Sequence, residues 1–383
     1  MARTSETFEV FNGNYEYPLY SNYAGRSGDI IFKLIDKNYS CKVTVEQFDY
    51  DYADGQSITL QSASKGNGID IVFVGEGFDA QDIASGILVS NSVSATDYFF
   101  DIEPYKTYKD YFNVYVVISK SEERGIGDVD TIIENKFPTP DDCLIWAQNA
   151  RSGIDISKSV VIMLQNSTQY YGWTYMYLDG SAISVVPLSQ QPYPRDFRGL
   201  IQHEAGGHAF GKLGDEYIYH NAFITECNCC DNCDHPLSEY YLCSQYGKFK
   251  RQGWFKNLSM FSDHNRVPWA HLIYNPDYSN KVDMYEGAYM HSRGRYRSEV
   301  TSCMNNNIPY FNSISRQAIV ERIKDYAGET FTLEDFYAND SFTVGTKAPS
   351  PNFDWTFGVD PNVSIGPEHG SIIFMGDKPN LKK

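Results

Sequence analysis

Ile69-Asp70-Ile71-Val72-Phe73-Val74-Gly75 is an apolar run rich in β-branched residues that stops at a glycine. Such a run suits a strand buried on both faces. Helical character follows it from Ala80 to about Phe100. Tyr111-Phe112-Asn113-Val114-Tyr115-Val116-Val117-Ile118 reads as a second strand, Ser159-Val160-Val161-Ile162-Met163-Leu164 as a third and Ala182-Ile183-Ser184-Val185-Val186-Pro187 as a fourth. Ala147 to Ile154 closes a helix-like stretch that precedes the third. Strands alternating with helices predict an α/β domain with a mostly parallel sheet.

Upstream, residues 7–62 read as short β segments such as Asp29–Ile35 and Cys41–Val45, and Ser62–Gly68 has linker composition. A small β domain of half-sandwich type is expected there. Downstream, Arg195 to Leu213 reads as a helix, residues 218–300 show little periodicity, and Ser315 to Tyr326 reads as a closing helix with Ile314, Ala318, Ile319 and Ile323 on one face. The tail is rich in Pro, Gly and Asn and holds one strand, Ser371–Met375, expected to pack back on the N-terminal β region. The chain divides into a small β domain over 1–64, a main domain over 65–329 and a β-rich extension over 330–383.

Composition narrows the function. The 383 residues allow two or three domains, and 42% hydrophobic with 21% charged residues is ordinary for a globular protein. Lys and Arg number 32 against 49 Asp and Glu, a net charge of −17, so the basic footprint of a nucleic-acid binder is missing. No stretch of about 20 apolar residues predicts a transmembrane helix. The first residues lack the apolar core of a signal peptide, so any leader is expected to be absent from this chain. Cys227, Cys229, Cys230, Cys233 and Cys243 cluster, while Cys41, Cys143 and Cys303 stand apart. The cluster favours disulfides and an oxidising compartment. A structural zinc site through Cys227/Cys230 or Cys230/Cys233, or free thiols, are the alternatives.

The chemistry concentrates in Leu200-Ile201-Gln202-His203-Glu204-Ala205-Gly206-Gly207-His208-Ala209-Phe210-Gly211-Lys212-Leu213-Gly214-Asp215-Glu216-Tyr217. His-Glu on a helix with a second His one turn later is the pattern of zinc hydrolases: two imidazoles grip the metal and the glutamate reaches the water that the metal acidifies. The usual gap between the histidines is four residues, about 40° apart on an α-helix. Here the gap from His203 to His208 is five, or about 140°. An undistorted helix could not aim both at one ion, so a one-residue π-bulge is expected across Ala205 to Gly207, where the glycines make it sterically easy. A third ligand is needed, and Asp215 is preferred, with Gly211 and Gly214 turning the chain back beneath the metal. Glu216 would then orient a histidine or cap the turn. His220, His235, His264, His271 and His291 are weaker candidates. Tyr170-Tyr171-Gly172-Trp173-Thr174-Tyr175 precedes Ile183–Val186, read as an edge strand to which an extended peptide could add.

From Ile69 to Ile323 the sequence resembles peptidase family M64, named after bacterial IgA-cleaving metalloproteases. The resemblance lies in Ile69–Phe78, Tyr111–Tyr115, the run ending Leu213-Gly214-Asp215-Glu216-Tyr217, Met284–Ala288, and Tyr296–Glu299 leading into Ser302-Cys303-Met304. It implies a zinc-peptidase catalytic domain preceded by a small β-sandwich-like domain. It implies His203, His208 and Asp215 as metal ligands and Glu204 as general base. The family is related to the metzincins, whose methionine turn lies beneath the zinc, and Met304 fits that role by position. The family's usual motif is one residue shorter; the dipeptidyl peptidase III family uses the longer spacing. The expected function is thus a secreted or cell-surface zinc endopeptidase, bacterial in origin, acting on a protein or peptide substrate. Arg297 and Tyr296 are candidate oxyanion donors. Two other readings stay open: a non-catalytic protein- or glycan-binding protein that keeps the fold, and a zinc hydrolase of non-peptide amides or cell-wall peptides.

Overall fold

The computed structural model describes residues 50–125, 136–223, 246 and 248–340, together with the strands β1 (Arg3–Val10), β2 (Asn14–Leu19), β3 (Gly28–Lys33), β4 (Cys41–Phe48) and, near the C-terminus, Ser371–Gly376. The main sheet uses β5 (Ser57–Gln61), β6 (Ile69–Glu76), β7 (Phe112–Val117), β8 (Val160–Gln165), β9 (Trp173–Tyr177) and β10 (Ala182–Pro187). A second sheet uses β11 (Ile218–Phe223), β12 (Leu258–Ser259), β13 (Tyr285–Ala288) and β14 (Met290–Arg297), and the C-terminal strand is β15.

The main sheet has seven strands in the order β15-β9-β10-β8-β6-β7-β5. Its centre, β10-β8-β6-β7, is parallel. These are the strands that the apolar runs predict, and every residue of β6, β8 and β10 is buried. Alternation along β6 sends Ile71 and Phe73 to one face and Val72 and Val74 to the other. The first face packs on the helices Ile87–Phe100 and Ser313–Ala327 and on the site helix, and the second on helix Pro140–Ala147. The result is a sheet covered on both sides, as a parallel sheet requires.

Several expectations need correction. The strand at Ile183–Val186 is not an edge: β10 lies between β8 and β9, and the edges are β15 and β5. The reason is that the aromatic stretch before it is itself strand β9, buried at every position and antiparallel to β10. The tail strand pairs with β9 rather than with the N-terminal region. β5, ahead of the expected boundary at 64, pairs with β7 in the same sheet. The helical stretch expected to close over Ala147–Ile154 starts at Pro140, where Thr139 and Asp142 form a capping box with Pro140 in the first turn, and ends sooner, with the α-helix stopping at Ala147 and a 3-10 turn over Gln148–Ala150. The helix expected from Ala80 to Phe100 is two helices, broken at Gly86 with φ 71°. The aperiodic region 218–300 contains the second sheet, whose strands are short and irregular in register. Upstream of residue 50, β1 pairs with β4 and β2 with β3, both antiparallel. A sandwich packing of these pairs would rest on side chains outside the described residues.

Candidate metal centre

Asp196 caps a short α-helix, Phe197–Leu200, by accepting from the Gly199 amide at 2.9 Å. The chain then continues as a π-helix over Ile201–Phe210. The distortion is therefore wider than the expected bulge over Ala205–Gly207. A π-helix bonds residue i to i+5, and the Gly211 amide donates to the Gly206 carbonyl at 3.0 Å. Residues five apart then share a face, and His203 and His208 point together with their Nε2 atoms 3.1 Å apart. Buried Tyr105 donates from its hydroxyl to the same Gly206 carbonyl at 2.5 Å.

The two glycines serve packing more than backbone freedom, since neither has a positive φ. A Cβ at Gly207 would collide with the Met304 sulfur, and one at Gly206 would stand 3.1 Å from the Tyr105 ring. Met304 thus lies directly against the π-helix, beside His203, whose Nδ1 is 2.9 Å from the Cys303 carbonyl.

Beyond the helix the chain turns at Lys212, with φ 52°, and not at Gly211 or Gly214. This turn delivers Asp215, whose Oδ1 lies 3.1 Å from His203 Nε2 and 3.0 Å from His208 Nε2. All three residues are buried, and they form the one group of potential metal ligands among the described residues. His264 instead pairs with Asp283, His271 with Gln317, and His291 Nδ1 with the Tyr289 carbonyl. The side chains of His220 and His235 lie outside the described residues, as do those of Cys41 and of the cysteine cluster, while Cys143 and Cys303 are buried and free.

The donor set can be tested for a metal by counting protons. His208 Nδ1 is 2.8 Å from the Leu213 carbonyl, just as His203 Nδ1 meets Cys303. A carbonyl oxygen only accepts, so each Nδ1 carries its ring's proton. In the neutral rings both Nε2 lone pairs then face each other and an Asp215 carboxylate oxygen. Three acceptors within 3.1 Å repel one another unless a cation lies among them. Tetrahedral ligands about 2.0–2.1 Å from a zinc ion stand about 3.4 Å apart, close to these separations. Without a metal, a proton on the rings relieves the same repulsion. Burial alone would lower His208, but the Asp215 carboxylate and its hydrogen bond lift it to about 9. Burial alone would raise Asp215, but His208 and the hydrogen bonds from both histidines hold it below the usual carboxylate value.

Glu204 is buried on the same helix, and burial raises it above an ordinary glutamate, against the pull of His208 and His203. Its Oε2 accepts from Thr174 Oγ1 at 2.8 Å, and its Oε1 has no hydrogen-bond partner among the described residues. Glu216 turns away from the histidines. Its Oε1 accepts from Asn257 at 2.8 Å and Asn312 at 2.7 Å, and burial lifts it to about 7. It ties distant loops to the turn rather than orienting a histidine. Arg297 donates to the Glu286 and Gly287 carbonyls of β13, and Tyr296 sits in β14 opposite Ser259 and Glu286.

Sequence reasoning missed Thr174, Asn257 and Asn312. Of these, Asn312 left a signal: an asparagine opening a periodic helix is an N-cap, and its Oδ1 accepts from the Ser315 amide.

Among the described residues no helix is long and apolar enough to cross a membrane. No curated protein matches the chain. Residues 58–239 match the model of the IgA peptidase M64 family, a span that starts within β5, runs through β10 and holds His203, Glu204, His208 and Asp215 but stops short of Met304. Over that span the chain is similar to the IgA peptidase M64 family.

Proposed function

We propose that the protein is a zinc-dependent endopeptidase, with His203, His208 and Asp215 as the metal ligands and Glu204 as the general base. The observation that carries this reading is the convergence of three buried acceptors within 3.1 Å, both rings having spent their Nδ1 protons on carbonyls. Two imidazoles and one carboxylate suit zinc in a catalytic site, which keeps three protein ligands and an open position. When bound, the ion would acidify a water and polarise the scissile carbonyl. Glu204 then accepts the proton of the attacking water and hands it to the leaving amine, a task for which a buried carboxylate of raised pKa is suited. The Cys303 carbonyl fixes the ring of His203, Met304 packs against Gly207 of the same helix, and Glu216 holds the turn that carries Asp215. The cysteine cluster between 227 and 243 supports a secreted or cell-surface location. The five-residue histidine spacing, the main argument for a non-catalytic binding protein, is accommodated by the π-helix.

The test is the metal content of protein purified without added metal, beside His208→Ala. The expected result is about one zinc per chain, lost in the variant, with chelator-sensitive peptide cleavage that Glu204→Gln abolishes. Native protein that takes up no zinc even when it is supplied overturns the reading.

A further inference from the structure

We infer that Thr174 is the positioning residue of Glu204: its hydroxyl, fed by Ser184, anchors Oε2 and leaves Oε1 as the oxygen that takes the proton. This rests on the reading of Glu204 as the base. Thr174 in β9 and Ser184 in β10 are directly opposite in the antiparallel ladder, and both are buried. Thr174 Oγ1 is 2.8 Å from Glu204 Oε2, 3.3 Å from Ser184 Oγ and 3.2 Å from the Glu204 carbonyl. A hydroxyl has one proton to donate. The shortest contact is to a carboxylate, which only accepts, so the Thr174 proton goes to Oε2. Its lone pairs then receive the Ser184 proton, giving a chain from Ser184 through Thr174 to Glu204 in which each bond strengthens the next.

Two buried carboxylates away from the site pair both oxygens, whereas Glu216, on the turn beside it, leaves its Oε2 without a partner among the described residues as Glu204 does its Oε1. Glu76 has Oε1 bonded to the Lys136 amide at 2.8 Å and Oε2 to the Phe137 amide at 3.1 Å. Glu299 has Oε1 bonded to Ser313 and Oε2 to Tyr310. Leaving a buried oxygen unbonded costs free energy, so folds rarely do it without a use. Glu204 keeps one oxygen bonded and one unbonded. The unbonded one borders Gly172, where a Cβ would stand 3.1 Å from Oε1 and 3.2 Å from Glu204 Cγ. The φ of Gly172 is not in the left-handed region, so alanine there is tolerated by the backbone and acts by crowding that oxygen and the Leu200 side chain, whose Cδ2 also lies 3.1 Å from the Cβ position.

The experiment compares Thr174→Val, Thr174→Ser and Gly172→Ala with the wild type for kcat, KM and zinc content, and solves the crystal structure of Thr174→Val. Thr174→Val is expected to lose about tenfold to a hundredfold in kcat with KM and zinc content unchanged, the size of effect a misplaced catalytic group produces. Its Glu204 carboxylate should rotate away from the wild-type orientation. Thr174→Ser should restore most of the rate, and Gly172→Ala should lower kcat with zinc retained. Wild-type kcat in Thr174→Val, or equal damage in Thr174→Ser, overturns the inference. So does loss of zinc in Thr174→Val. Should that variant not fold, an undiminished rate in Gly172→Ala overturns it. If Glu204→Gln abolishes cleavage while Thr174→Val does not, this inference falls and the peptidase reading stands. If the wild type shows no chelator-sensitive cleavage, both fall.

Discussion

From Ile201 to Phe210 the site is carried by a single helix, whereas from Gly211 to Tyr217 it is carried by residues that reach it from four other parts of the chain. The helix brings His203, Glu204 and His208 from contiguous sequence. The turn depends on Asn257, which bonds both the amide and the carbonyl of Gly214 at 3.0 and 2.8 Å. It depends also on the Tyr289 amide donating to the Asp215 carbonyl, on the Met304 carbonyl receiving the Glu216 amide, and on Asn312 reaching Glu216. The turn bears local costs as well: a lysine in the left-handed region, and oxygens on Asp215 and Glu216 without a partner among the described residues. The helix supplies the reach of the site and the turn supplies its negative charge, so the long-range contacts serve mainly to hold an anion beside two imidazoles.

The sharpest way to break this contrast is Asp215→Ala beside Glu216→Gln. If the turn exists to place one carboxylate, Asp215→Ala should weaken zinc binding by at least about a hundredfold, exceeding the 10–100-fold typical of outer-shell partners. Glu216→Gln keeps an acceptor for both asparagines and should bind zinc within a few-fold of wild type. Competition with a chromophoric chelator measures both. Wild-type affinity in Asp215→Ala would move the third ligand elsewhere and leave the turn without its function.

What could be read in the sequence follows the same division. The convergence of the two histidines was legible because a helix converts spacing into direction, so the extra residue between them called for a π geometry by arithmetic alone. The four central strands were legible because a parallel strand buried on both faces is an apolar run. β9 was not: Trp173, Thr174 and Tyr175 look like a binding surface, and only pairing with β10 on one side and β15 on the other buries them. With β9 unseen, β10 reads as an edge. The turn was illegible for a similar reason. Nothing local marks Lys212 as the left-handed residue between two glycines, because the contacts that force it come from Asn257 and the Phe255 amide, which donates to the Lys212 carbonyl at 2.8 Å. The second sheet has strands too short and irregular to leave a period.

A smaller effect tests whether the helix also leans on distant residues. Gly207→Ala should destabilise the fold by about 2–3 kcal/mol, because the added methyl meets the buried Met304 side chain. In a Met304→Ala background the same substitution should cost much less, and the coupling is read from chemical denaturation of the four proteins. An equal cost in both backgrounds would place the penalty in the π-helical backbone itself, making the helix as self-contained as the contrast states and removing Met304 from its support.

The smallest expected effect concerns the cost stored in the turn. Lys212 is buried with no hydrogen-bond partner for its Nζ among the described residues, though the amine lies 5.2 Å from the centre of the Trp254 ring. Burial holds its pKa well below the ordinary lysine value, Arg322 pushes the same way, and Asp179 opposes. An unbonded buried donor costs about 1–3 kcal/mol, and the ring returns about 0.5–2 kcal/mol. Lys212→Met should therefore stabilise the protein by about 1 kcal/mol near neutral pH. The sign of the pH dependence follows from the lowered pKa. Below the folded-state value both states hold the proton and the cost of the buried charge is complete. Between that value and the unfolded-state value of 10.5 the folded protein has released the proton and the unfolded chain has not, so stability rises with pH. The advantage of the methionine variant should thus shrink as pH climbs toward 10.5. Thermal melts of both proteins across that range decide it. A variant that is less stable at every pH would mean that the amine holds the turn together, and the strain credited to residues 211–217 would have to be sought in the helix instead.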